Sequence, residues 1–275
     1  MFFLEIIKSV ILGIIQGITE WLPISSTGHL ILVNQFLNLD CSADFMDMFK
    51  VVIQFGSILA VVLLYFNKLN PLSPQKNSFE KKETWLLWLK VIIGVIPAAI
   101  IGFLFEDIID DYLSKPYVIG AALLIYGILF IIIENRQKQA KITEISNLTY
   151  KTAFLIGCFQ VLALIPGTSR SVSTILGAVL LGAGRGVASE FSFFLAIPVM
   201  FGASALKMLG FGLNLTAQEW IILITGTIVS FIVSVVAIKF LMNYIRKHDF
   251  KAFGYYRIVL GIIILAVSLF LPISA

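Results

Sequence analysis

Charge is scarce in this chain. Only 13% of its 275 residues are Asp, Glu, Lys or Arg, about half the share found in soluble domains. With 59% of residues hydrophobic and a mean hydropathy of +0.98, the apolar surface exceeds what one aqueous core can hide. A soluble globule and a disordered chain are both excluded. Cysteine is scarce too: Cys41 and Cys158 are the only two. They lie far apart without metal-ligand spacing, which excludes a disulfide scaffold and reads as two buried thiols. The net charge of +4 and pI near 9.0 are not gathered into one basic face, so no nucleic-acid partner is expected. Met1-Phe2-Phe3-Leu4-Glu5 lacks a basic leader, and no small-residue cleavage site follows. The N-terminus therefore reads as a retained first helix. What remains is an all-α polytopic membrane protein.

Six stretches are apolar and long enough to cross a bilayer, which takes about 17–25 helical residues. They are 51–66 (extended back to about 46), 86–105 (tolerating Lys90), 116–133, 191–206, 220–238 and 258–275. Lys68, Lys76, Lys81 and Lys82 fall in loop 67–84, and Arg136, Lys138, Lys141 and Lys151 in loop 135–152. Arg246, Lys247, Lys251 and Arg257 fall in loop 243–257. The connection after the second span reads Glu106-Asp107-Ile108-Ile109-Asp110-Asp111. The positive-inside rule puts the three basic loops in the cytoplasm and the acidic one outside.

That threading leaves two apolar segments, 1–44 and 153–189, without a crossing. Each is broken by proline and a polar cluster: Pro23-Ile24-Ser25-Ser26-Thr27-Gly28-His29 and Pro166-Gly167-Thr168-Ser169-Arg170-Ser171. Proline cannot continue a helix, so two half-length helices joined at each break are expected to form a re-entrant hairpin. One hairpin and three spans then occur twice, as a first repeat over 1–134 and an inverted second repeat over 151–275, within a single transmembrane domain. Inverted repeats with broken helices point to a site near the bilayer midplane.

Ionisable groups at membrane depth are expensive and read as functional by default. Glu20, His29 and Arg170 sit at the breaks. Ser25, Ser26 and Thr27 are good N-caps for the helix through His29, and Ser169 begins another. Each hairpin thus aims a helix N-terminus, a ready anion site, toward the centre. Arg170 adds a planar fork for phosphate oxygens, and Ser171 and Thr174 lie one turn apart. The second break reads as a phosphate clamp made by Ser169, Arg170, Ser171 and Thr174, with Ser25 and Thr27 contributing from the first. Gln16 and Glu20 share a helix face, and Ser26 and His29 are three apart, near enough for nucleophile and proton carrier. A pyrophosphate attached to a lipid is the natural substrate of such a site.

These residues resemble, end to end, the bacitracin-resistance family of undecaprenyl-diphosphate phosphatases. The first signature stands here as Gln16-Gly17-Ile18-Thr19-Glu20-Trp21-Leu22-Pro23-Ile24-Ser25-Ser26-Thr27-Gly28-His29. The second is Pro166-Gly167-Thr168-Ser169-Arg170-Ser171 with Thr174, followed by Ala188-Ser189-Glu190-Phe191-Ser192-Phe193. The resemblance implies removal of the terminal phosphate of undecaprenyl diphosphate, recycling the lipid carrier for peptidoglycan synthesis and conferring bacitracin resistance. It implies a divalent cation, Mg²⁺ or Ca²⁺, at Glu20 and Gln16, with Ser26 and His29 as catalytic pair and Arg170 on the diphosphate. Position 16 is Glu or Gln in the family; Gln here means one carboxylate fewer. Whether Ser26, His29 or a water attacks is left open.

The expected partners are the polyprenyl diphosphate and membrane lipids, with a homodimer admitted. The expected location is the bacterial plasma (inner) membrane, with the active site toward the extracytoplasmic side because the first hairpin enters from outside. A lipid flippase is the rival reading, since inverted repeats suit transporters, but a carrier needs no nucleophile–base pair. Phosphatases related to phosphatidic acid phosphatase place a second histidine shortly after a Ser-Arg pair; here Leu176 stands there. His248, beside Arg246 and Lys247, reads as loop, and Glu190 beside Arg185 as an ion pair or a supporting residue.

Overall fold

A computed structural model of the chain describes residues 2–34, 36–37, 39–136, 139–212 and 215–270, with only the backbone for Glu106, Asp107, Asp110 and Phe270. Lys138 and the last five residues of the sixth expected span lie outside the described residues. Eleven helices follow in order among them: α1 (Phe2–Thr19), α2 (Ser26–Asn34), α3 (Ala43–Leu64), α4 (Phe66–Leu69), α5 (Ser78–Leu113) and α6 (Pro116–Asn135). Then come α7 (Tyr150–Val161), α8 (Arg170–Leu180), α9 (Arg185–Phe211), α10 (Ala217–Tyr244) and α11 (Lys251–Phe270). The fold is all-α and polytopic.

Each of the six expected spans is a helix: α3, α5, α6, α9, α10 and α11. A seventh helix, α1, is also long and apolar enough to cross a membrane. The half-length arm expected there is thus a full 18-residue helix, because nothing in Phe2–Thr19 interrupts the backbone ladder and the first breaker is Pro23. The acidic stretch after the second span is also helical. It continues α5 beyond a kink at Phe105, whose φ and ψ are −126° and 16°.

Close helix contact rests on small residues. In lipid there is no hydrophobic drive between helices, so backbones must approach for dispersion to act. Along α6 and α11, Gly127 faces Gly254 and Gly120 faces Gly261; a Cβ at Gly127 would lie 2.8 Å from the Gly254 carbonyl oxygen. A Cβ at Gly13 or Gly17 would lie 2.7 or 2.8 Å from the carbonyl oxygens of Gly226 and Ser230 on α10. Buried serines add hydrogen bonds across the same seams. Ser9 Oγ donates to the Ile222 carbonyl at 2.6 Å, and Ser57 and Ser230 hydroxyls meet at 2.8 Å. Such interhelical bonds average about 0.6 kcal/mol. α5 packs against α7, as α1 does against α10.

Several charged residues lie elsewhere than the sequence reading put them. Arg257 belongs to α11 and is fully buried. Arg185 pairs with Glu134 in a two-pronged bridge of 3.0 Å from Nε and 2.6 Å from the terminal nitrogen, while Glu190 takes Lys68 at 2.7 Å. Glu134 also accepts the Phe250 N–H at 3.2 Å, tying the end of α6 to the starts of α9 and α11. Cys158 is exposed on α7 and Cys41 only half-buried, so neither is a core thiol.

Candidate active site

Both breaks are made by the same local device. After Thr19 the chain passes Pro23, and Ser25 adopts φ 76° immediately before α2; after Pro166 and Gly167, Ser169 adopts φ 75° immediately before α8. These are the only non-glycine residues with positive φ among the described residues, a conformation that costs of order 1–3 kcal/mol and collects at functional sites. Ser25 accepts the Gly28 N–H at 3.3 Å, capping α2. Ser169 makes no such cap; its hydroxyl meets Ser171 Oγ at 3.0 Å. The first N–H groups of α8 therefore lack a side-chain cap, as an anion site requires.

Glu20 is the hub. Gln16 Nε2 donates to its Oε2 at 3.0 Å from one turn earlier on α1. Ser26 Oγ donates to the same oxygen at 3.0 Å from the first residue of α2. Arg170, the first residue of α8, donates to Oε1 at 3.2 Å, with both side chains about nine-tenths buried. The other terminal nitrogen of Arg170 donates to the Ser192 carbonyl at 2.8 Å. Thr174 Oγ1 lies 2.7 Å from Ser192 Oγ and 2.9 Å from the Arg170 carbonyl. The guanidinium also rests over the fully buried Trp21 ring, 5.6 Å from its centroid, a desolvated cation–π contact worth about 2 kcal/mol. Gln16, Glu20, Ser26 and Arg170 thus converge from residues up to 154 positions apart.

Other expected site residues stand apart from that network. Thr27 is exposed. His29 does not bond Ser26; its Nδ1 meets the Ser25 carbonyl at 2.7 Å and its Nε2 the Tyr256 hydroxyl at 2.7 Å. Ser171 and Thr174 do not aim at one point, because the first pairs with Ser169 and the second with Ser192.

Four further residues contact these groups. Ser192 and Trp21 hold Arg170, and Tyr256 holds His29. Arg257 donates to the Gly167 and Thr168 carbonyls at 2.9 and 3.0 Å, satisfying the broken backbone of the second turn. An arginine heading the apolar run 258–270 was the available signal for the last, masked by the basic residues before it.

Among the described residues the Gln16 side-chain carbonyl is buried without a partner, on the same amide whose Nε2 bonds Glu20. Two hard oxygen donors, Gln16 Oε1 and the Glu20 carboxylate, fit a divalent cation completed by waters and substrate phosphates.

Residues 9–263 match the family model described as "Bacitracin resistance protein BacA". An undecaprenyl-diphosphatase of Enterococcus faecalis is 59% identical over 275 residues, covering 98% of this chain and all of that protein. Undecaprenyl-diphosphatase 1 of Clostridioides difficile is 62% identical over 263 residues, 96% of each chain. One from Latilactobacillus sakei is 58% identical over 270 residues, covering 96% of this chain and 98% of that one.

Proposed function

We propose, from the premise that the chain belongs to the bacitracin resistance protein BacA family, that the network around Glu20 and Arg170 hydrolyses undecaprenyl diphosphate. The chain is an undecaprenyl-diphosphatase. It removes the terminal phosphate, returns the monophosphate carrier to envelope polymer synthesis and confers bacitracin resistance.

The observation that carries the site assignment is the Glu20–Arg170 contact at 3.2 Å with Ser26 on the same carboxylate. Arg170 and the uncapped start of α8 receive the diphosphate, as charge-assisted donors do. Ser26 Oγ attacks the terminal phosphorus and its proton passes to Glu20. The bond from phosphorus to the bridging oxygen breaks, and undecaprenyl phosphate leaves. Water then cleaves the phosphoserine with His29 as proton acceptor, releasing inorganic phosphate. A divalent cation at Gln16 and Glu20 supplies neutralisation of the diphosphate charge when bound. Thr27, Ser25, Ser169, Ser171 and Thr174 line or hold the anion-binding turns.

The two helix breaks are read as re-entrant hairpins opening a first repeat over 1–134 and an inverted second over 151–275. The matched packing of α1 on α10 and α5 on α7 supports that reading, because exchanging the repeats turns one pair into the other. The active site is assigned to the extracytoplasmic side of the plasma membrane because the first hairpin is read as entering from outside. A homodimer remains part of this reading.

The test is phosphate release from a polyprenyl diphosphate by detergent-purified protein. Arg170→Ala and Ser26→Ala are expected to lose activity at least a hundredfold, the order seen for loss of one preorganised donor or nucleophile. Full activity in Arg170→Ala would overturn the clamp; full activity in Ser26→Ala would move attack to His29 or water.

A further inference from the structure

His29 is held from two sides, and the two contacts together fix where its proton sits. Its Nδ1 lies 2.7 Å from the Ser25 carbonyl oxygen. A carbonyl oxygen only accepts, so Nδ1 carries hydrogen. In the neutral ring the other nitrogen is then an acceptor, and Tyr256 O–H donates to Nε2 across 2.7 Å. The two rings lie nearly parallel, with 10° between their planes and centroids 5.5 Å apart.

The Nδ1 side has no slack. Ser25 is buried, sits at φ 76° and spends its hydroxyl on the Gly28 N–H. Proton exchange by His29 is therefore confined to Nε2, the nitrogen that Tyr256 covers. Tyr256 itself, on α11, is 46% exposed, so its ring can turn aside without opening the packed interior.

We propose that Tyr256 is a positioning residue for the hydrolysis, locking His29 in the Nδ1–H tautomer and keeping Nε2 paired until a water or substrate oxygen replaces the tyrosine hydroxyl. This rests on the reading of His29 as the acid–base group. A phenol suits the task in both protonation states of the ring. Its O–H donates to the neutral Nε2, and its oxygen accepts from Nε2–H once the ring has taken a proton. Phenylalanine keeps the stacked ring and loses both bonds.

The experiment is ¹⁵N-imidazole NMR and steady-state kinetics on the full chain, with the exposed loop His248 replaced (His248→Gln) so that His29 gives the sole imidazole signal. The parent is expected to show a pyrrole-like Nδ1 and a hydrogen-bonded, pyridine-like Nε2. Tyr256→Phe is expected to shift the Nε2 resonance and lower kcat about tenfold at nearly unchanged KM, a fraction of the roughly 10²–10⁴ an acid–base group supplies. A parent spectrum with hydrogen on Nε2 would overturn the proposal, as would Tyr256→Phe with both kcat and the Nε2 resonance unchanged. His29→Gln at full activity would remove the acid–base reading itself and the proposal with it. Inactive His29→Gln beside an unaffected Tyr256→Phe would remove only the role of the tyrosine.

Discussion

Arg170 reaches Glu20 across 150 residues of chain, closing a 3.2 Å ion pair between the first residue of α8 and the turn after α1. The same guanidinium serves two partners from separate nitrogens, Glu20 from one and the Ser192 carbonyl from the other. Burial makes the pair asymmetric in its consequences: removing one member strands the other's charge, at about 3–5 kcal/mol.

Arg170→Lys tests the fork. A lysine keeps the charge but is a point donor without the rigid two-nitrogen plane, and it cannot lie flat on Trp21. Phosphate release is expected to fall about as far as in Arg170→Ala. Activity within threefold of the parent would show that charge alone suffices.

The glycine seam between α6 and α11 predicts a stability effect remote from the chemistry. Gly127→Val puts side chain where the Gly254 carbonyl lies 2.8 Å from a Cβ. Overpacking of this kind costs about 1–3 kcal/mol. Gly202→Ala, with nothing among the described residues within 4 Å of its Cβ, is expected to be neutral or stabilising by up to about 1 kcal/mol. Thermal unfolding of detergent-purified protein checks both, and equal midpoints would contradict the seam.

Cys41 carries a pH signature. Burial first, and then the carboxylates of Glu5, Glu219 and Asp40, push its thiol up to about 11. Only the thiolate reacts, so maleimide modification of a Cys158→Ser protein is expected to quicken about tenfold per pH unit from 7 to 10. A plateau near pH 9 would mean an ordinary, solvated thiol.

Sidedness is decided at Thr27, which is exposed beside the hub. In a chain free of Cys41 and Cys158, Thr27→Cys is expected to react in intact cells with a membrane-impermeant maleimide. Labelling only by permeant reagents would place the opening on the cytoplasmic face.

Glu20, Ser26, Gln16 and Arg170 were legible in the sequence because polar groups stand out against apolar runs, and proline marks where the helices stop. Their convergence was not, since the contact spans the two halves of the chain. Arg257 was misread as loop because Lys251 precedes it and one-dimensional counting cannot tell a helix's first turns from the loop before it. Tyr256 gave no signal at all: a tyrosine near a span end is ordinary in membrane helices, and only its bond to His29 distinguishes it. Ser26 and His29, three apart, read as near enough for nucleophile and proton carrier. Yet the start of α2 directs the serine to Glu20, while the imidazole bonds the Ser25 carbonyl and the Tyr256 hydroxyl on α11.

The Glu20–Arg170 bond has a consequence for turnover. The site carries an internal competitor for its own guanidinium, so every arriving phosphate must displace a carboxylate and every departing one finds a replacement waiting. On the proposed reading, that exchange is expected to weaken inorganic phosphate more than a diphosphate, which carries more charge and grips several donors at once. Low product inhibition by free phosphate is the expected consequence of this resting state.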